Sequence, residues 1–117
     1  PAPAGRPASA DPGLAPPPRP TAIFCYNDML AIGLLRGMQN AGLRIPEDFS
    51  VAGFDNITIS AFTTPPLTTL DQPKHTIGAQ AARLVLGLLE GVDNASPKIQ
   101  TLKGTLLVRR STARPER

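Results

Sequence analysis

The chain has 117 residues, with twelve Lys and Arg against nine Asp and Glu, a net charge of +3 and one cysteine. That is material for one modest domain, too little for two, and it excludes a disulfide within the chain. Four of the positive charges, Arg109, Arg110, Arg114 and Arg117, fall in the last nine residues, where a solvated tail accounts for them, and no basic helix stripe or nucleic-acid-reading motif accompanies them.

The first twenty residues, PAPAGRPASADPGLAPPPRP, hold eight of the fourteen prolines and almost no large apolar side chains. They cannot bury enough surface to offset chain entropy and are expected to be a disordered leader. From Thr21 the texture becomes globular. TAIFCY predicts a short buried strand containing Cys25, whose role is packing. MLAIGLLRGMQNAG predicts a helix with Leu30, Leu34 and Met38 on one stripe beside Ala31 and Leu35. Asp28 is placed to cap it, and Gly42-Leu43 supplies the C′ glycine and apolar C″ residue of a helix stop, with Pro46 beyond.

SVAGF predicts a second strand. A strand, a helix and a strand at this spacing form a βαβ unit, whose strands are parallel and end on the same sheet edge. The polar residues Asn27 and Asp55, which terminate the two strands, should therefore emerge side by side, where open α/β sheets bind ligands. A helical turn at Ile57 to Ala61, a break at Pro65-Pro66 and a third strand LTTL follow. Asp71-Gln72-Pro73 leads into a helix from about Lys74 to Glu90 whose apolar face carries Ile77, Ala81, Leu84, Val85, Leu88 and Leu89, with Gly91 as its stop. KIQTL and TLLVRRS are β-rich pieces flanking Gly104.

Enzyme chemistry finds little support. His75 is the sole histidine and sits in the first turn of an amphipathic helix as a solvent-facing residue, and no HExxH, paired CxxC or GxxxxGK[ST] occurs. No catalytic residue, metal site or cofactor is expected. Asn27 is either the turn residue between strand and helix or a ligand contact, and Asp28 leans to the cap. Asp55 leans to a ligand contact, since no helix start beside it needs capping. Asp71 and Gln72 are hinge or cap residues. With no run of about 18 apolar residues and no apolar signal core, the sequence as it stands reads as a cytoplasmic chain without a membrane span.

PTAIFCYNDMLAIGLLRGMQNAGLRIPEDFSVAGFDN, followed by TTPPLTTLDQPKHTIGAQAARLVLGLL, resembles the C-terminal part of the effector-binding core of the lactose-repressor/galactose-repressor family of bacterial transcription regulators, across about residues 19 to 113. TAIFCYND, GLRIPED, VAGFDN, PPLTT and DQP carry the resemblance in combination. It implies an α/β, periplasmic-binding-protein-like (type I) fold with a parallel sheet of βαβ units, present in part: residues 21–72 in the C-terminal subdomain, 73–96 as a helix of the N-terminal subdomain, and 97–117 as return strand and tail. It implies that Asn27, Asp55 and Gln72 contact a sugar-like or nucleoside-like effector, and that the helix start near Met29 and the loop 59–63 serve a homodimer. DNA would be bound only through an N-terminal helix-turn-helix, which this chain is expected to lack along with the upstream strands, the leader standing in their place. The rival reading is part of a sugar-binding receptor of a transport system, which shares the fold.

Overall fold

The computed structural model describes residues 19–91 and 99–116. The expected disorder of the leader, except at Arg19 and Pro20, lies outside the described residues, as does the segment 92–98 after the last helix.

Strand β1 (Ala22–Phe24) leads into helix α1 (Asp28–Asn40), which returns to strand β2 (Ser50–Ala52). β1 and β2 pair in parallel, Ile23 opposite Val51, as the βαβ spacing requires. A 3-10 turn (Thr58–Phe62) precedes β3 (Thr69–Asp71), and α2 (Lys74–Leu89) separates β3 from β4 (Thr105–Leu107). Parallel bridges join Ala52 to Thr68 and Asp55 to Asp71, so β3 continues the parallel array beyond β2. β4 adds an antiparallel edge, Leu106 opposite Leu70. Of the two β-rich pieces expected near the C-terminus only the second forms a strand: residues 99–102 are irregular, because the free edge of β3 is already taken by 105–107.

Helix α1 begins one residue earlier than the sequence suggests. Asn27, not Asp28, is the N-cap: its backbone is extended (φ −152°) and its side chain accepts from Leu30 N at 2.9 Å. Asp28 is already helical and turns its carboxylate inward. The buried stripe is accordingly Asp28, Ala31, Leu35 and Met38, while Leu30, expected on the stripe, is exposed. The C-terminal stop forms as expected. Gly42 N donates to Gln39 O and Leu43 N to Met38 O, both at 3.0 Å, and the positive φ of Gly42 (80°) is the conformation such a cap demands.

The core is one small cluster under α1, made of Ala31, Leu35, Met38, Ile45, Phe49, Val51 and Leu67, with Ile23, Cys25 and Leu43 packed against it. Burial pushes the Cys25 thiol pKa up, in keeping with an inert packing role. By contrast α2 buries none of its residues among those described. It ends at Leu89, just ahead of Gly91, as expected, but neither Asp71 nor Gln72 caps it. Pro73 occupies the cap position without a side-chain hydrogen bond, and the side chains of Asp71 and Gln72 are engaged with Asn56 and Asp55 instead.

The tail folds back onto the sheet. Ser111, fully buried, donates from Oγ to Val51 O at 2.6 Å and accepts there from Thr68 N at 2.8 Å, while its carbonyl accepts from Val51 N at 2.8 Å. One side chain thereby fills the wedge where β2 and β3 diverge. Arg109, expected as a solvated tail charge, is half-buried and makes side-chain hydrogen bonds to Asn56, Ser60 and Leu67. A guanidinium loses its exposed character when acceptors in fixed positions satisfy its fork of donors.

Candidate functional site

Each of the three parallel strands delivers polar or aromatic residues at its carboxyl end. Phe24 ends β1 and Tyr26 and Asn27 follow it, Phe54 and Asp55 follow β2, and Gln72 follows β3; together they line an open cleft of about 520 Å³. The structure thus brings Asn27, Asp55 and Gln72 to one place. A wider and more open groove of about 650 Å³ lies elsewhere, against Arg44, Ile45, Glu47, Thr64, Pro65 and Pro66. Those residues precede β2 and β3, at the amino ends of the strands, and backbone geometry in parallel α/β sheets favours the carboxyl ends for ligands. The smaller cleft is therefore the stronger site.

Its polar groups differ in how far they are already committed. Asn27 Oδ1 caps α1, so its amide N–H₂ is the group that would meet a ligand. Asp55 Oδ1 accepts from Gln72 Nε2 at 2.5 Å, and its backbone carbonyl accepts from Lys74 Nζ. A carboxylate has about four lone-pair directions, so acceptor capacity remains for hydroxyl or ring N–H donors. Tyr26 is 84% and Phe24 70% exposed. Aromatic faces beside an amide, a carboxylate and a second amide suit a small, polar, partly apolar ring.

Support comes from residues that sequence reasoning gave other roles or passed over. Asp28, 0% exposed, accepts from Ile57 N at 2.9 Å and from Thr69 Oγ1 at 2.5 Å, tying the start of α1 to the turn after β2 and to β3. Its anionic oxygens also sit at the positive end of α1. Asp55 and Asn56 have positive φ, 121° and 53°; non-glycine residues so placed cost about 1–3 kcal/mol each and persist only where their surroundings over-determine them. The aromatic wall was legible in principle, since Phe24 and Tyr26 are two apart in a strand-like run and share a face. The Arg109 hydrogen bond to Asn56 spans 53 residues, and no local pattern announces it.

A cleft at the carboxyl ends of parallel strands, walled by aromatic rings and edged by amides and a carboxylate, has the position and lining typical of small-molecule sites in open α/β folds. The periplasmic binding protein-like domain family matches residues 3–112, including most of the proline-rich stretch that the sequence sets apart. The chain belongs to that family. The HTH-type transcriptional repressor PurR of Aliivibrio fischeri strain MJ11 is 47% identical over 76 residues, which make up 65% of this chain and 23% of the repressor. The chain therefore spans about a quarter of the length of the curated relatives it matches. A LacI family transcriptional regulator from Enterococcus faecalis V583 with bound ribose superposes at a TM-score of 0.71 with 41% identity, over 80% of this chain and 34% of that one. The lac repressor dimer bound to operator and the anti-inducer ONPF superposes at 0.71 with 35% identity, over 80% and 32%. These matches bear out the resemblance to the effector domain of lactose-repressor/galactose-repressor regulators.

Proposed function

We propose that this chain is an effector-sensing part of a cytoplasmic bacterial transcriptional regulator, with no catalytic activity of its own. The observation that carries the reading is the convergence of Asn27, Asp55 and Gln72 with three aromatic rings at the carboxyl ends of three parallel strands. A sugar-like or nucleoside-like effector would place ring carbons against Phe24, Tyr26 or Phe54, present hydroxyl or N–H donors to Asp55, and exchange hydrogen bonds with Asn27 and Gln72. Gln72 lies between β3 and α2, so a ligand held by Asp55 and Gln72 touches the segment through which α2 is attached. An effector that binds one orientation of that attachment better than another shifts the equilibrium between them by its difference in affinity.

DNA recognition would belong to another part of the regulator, since a recognition helix with basic residues aimed at a groove is not among the described residues. Homodimer formation is supported by exposed apolar side chains at the start of α1 and on the 3-10 turn, Met29, Leu30, Ile59 and Phe62. Two of the named relatives are repressors and the third is a transcriptional regulator, which favours a regulator over a transport receptor.

Calorimetric titration with D-ribose, cellobiose and adenosine, on the wild-type chain and on Asp55→Ala, tests the reading. The expected result is saturable binding of at least one of the three, weakened about tenfold or more in Asp55→Ala, because a hydrogen bond to a charged group contributes about 1.5–3 kcal/mol. The melting temperature should fall only modestly, because alanine at the positive φ of Asp55 adds local strain without opening a cavity in the core. Binding of none of them, or unchanged affinity beside a collapsed melting temperature, would sink it.

A further inference from the structure

We infer that Arg109 is a positioning residue for the cleft: it clamps Asn56 in a left-handed conformation and thereby holds the Asp55 carboxylate at the strand end. The inference rests on the reading of Asp55 as an effector contact for its functional weight, but its geometry stands apart from any ligand. Asp55 and Asn56 are the non-glycine residues with positive φ among those described, at 121° and 53°. An unsupported Asp-Asn pair would relax to negative φ and swing the carboxylate away from Gln72.

The support converges on the Asn56 side chain. Its Oδ1 accepts from Arg109 Nη2 at 2.9 Å, and its Nδ2 donates to Asp71 Oδ1 at 3.2 Å. The backbone N–H of Asn56 donates to Thr69 Oγ1 at 3.3 Å. Arg109 is itself fixed, since Nη1 donates to Ser60 Oγ and Leu67 O, both at 3.0 Å, and its backbone N donates to Thr68 Oγ1 at 2.9 Å. A planar guanidinium that spans three acceptors sets their mutual positions, which a lysine ammonium on a flexible stem does not. Arg109 reaches no cleft-lining group directly. Its influence passes through Asn56 to Asp55.

The test uses heteronuclear NMR on the whole chain in dilute solution, without ligand. It reads the Asn56 HN–Hα coupling, hydrogen-exchange protection of the Asn56 side-chain amide, and the proximity of the Asp55 and Gln72 side chains. In Arg109→Lys the protection is expected to fall about tenfold or more, the coupling to leave its left-handed value and the Asp55 and Gln72 side chains to separate. Adding Asn56→Gly to Arg109→Lys should bring them back together, because glycine takes positive φ at no steric cost. A purely structural Arg109 would not give that rescue. Should Arg109→Lys fail to fold, two variants of Asn56 read the same transmission: Asn56→Ala should part Asp55 from Gln72, and Asn56→Gly should leave them hydrogen-bonded. The inference is overturned if Arg109→Lys lowers only the melting temperature and leaves the coupling and the Asp55–Gln72 hydrogen bond intact. It is equally overturned if the folded double variant does not regain that hydrogen bond, or if Asn56→Ala retains it. None of these spectra depends on ligand, so a failed titration with an intact clamp would count against the effector reading alone.

Discussion

Helices α1 and α2 carry the same kind of apolar periodicity and meet opposite fates. α1 presses Ala31 and Leu35, 0% and 3% exposed, onto β2 and the residues around it, whereas α2 leaves Leu88 and Leu89 52% and 79% exposed. Periodicity reports that a helix has an apolar face, not what will cover it. α1 connects two adjacent parallel strands, and such a crossover must lie across the sheet it connects. α2 connects β3 to β4, which run antiparallel, and nothing in that connection lays it on the face where the core forms. Among the described residues only partial cover, from Gln100 and Leu102 beside Ile77, Ala81 and Leu84, supplements its local hydrogen bonding, which alone is marginal for a helix of this length.

The largest test of the contrast sets a core leucine against an α2 leucine. Leu67 is fully buried in the cluster under α1, and Leu67→Ala should cost about 2–5 kcal/mol through forfeited transfer energy and a residual cavity. Leu88→Ala should stay within about 0.5 kcal/mol, as for ordinary surface positions. Urea melts in dilute solution, followed by a probe of the sheet, read the difference. Comparable losses would break the comparison, because they would mean that α2 is part of the same cooperative unit.

The sequence carried the βαβ unit, the Gly42 stop and the convergence of Asn27 and Asp55, because each rests on residues close in the chain or on one topological rule. It misplaced the cap by one residue. Asn27 and Asp28 are equally able caps, and the decision belongs to Ile57 N and Thr69 Oγ1, two groups distant in sequence that need a buried acceptor. The same cause hid Arg109, whose partners Asn56, Ser60 and Leu67 lie 42 to 53 residues away, and rotated the buried stripe of α1 away from Leu30. Local patterns located the elements. Long-range polar satisfaction decided which side chain did what within them.

A glycine in each region sharpens the contrast by the sign of its effect. A Cβ at Gly53 would collide with Asp28 Oδ1 and stand 3.0 Å from Leu67 Cδ2 and 3.2 Å from Asp28 Cα. Asp28 cannot retreat without giving up its bonds to Phe54 O, Ile57 N and Thr69 Oγ1. Gly53→Ala should destabilise by about 1–3 kcal/mol, the usual range for overpacking. At Gly87, inside α2, a Cβ meets nothing within 4 Å, and Gly87→Ala should stabilise that helix by about 0.5–1 kcal/mol. Chemical melts read the first and far-ultraviolet circular dichroism the second; two changes of the same sign would contradict the division.

The smallest expected effect comes from the ion pairs that flank the two regions. In the loop between α1 and β2, Asp48 accepts from Arg44 N at 2.7 Å, Nε at 3.2 Å and Nη2 at 3.0 Å. At the start of α2, Lys74 stands 3.9 Å from Asp71. The hydrogen bonds from the Arg44 side chain and backbone hold the Asp48 carboxyl below its ordinary value of 3.8. A depressed carboxylate contributes stability that is present above the unfolded-state value and is lost as pH falls through the lower folded-state value. The pair is at the surface, so its effect is modest and salt-sensitive. Melting temperatures of wild type and Asp48→Asn, measured from about pH 7 to about pH 2 at low salt, should differ by a constant margin in favour of wild type down to about pH 4 and converge below it. A gap that widened towards acid would require a raised folded-state value, the reverse of what the three hydrogen bonds to Asp48 impose.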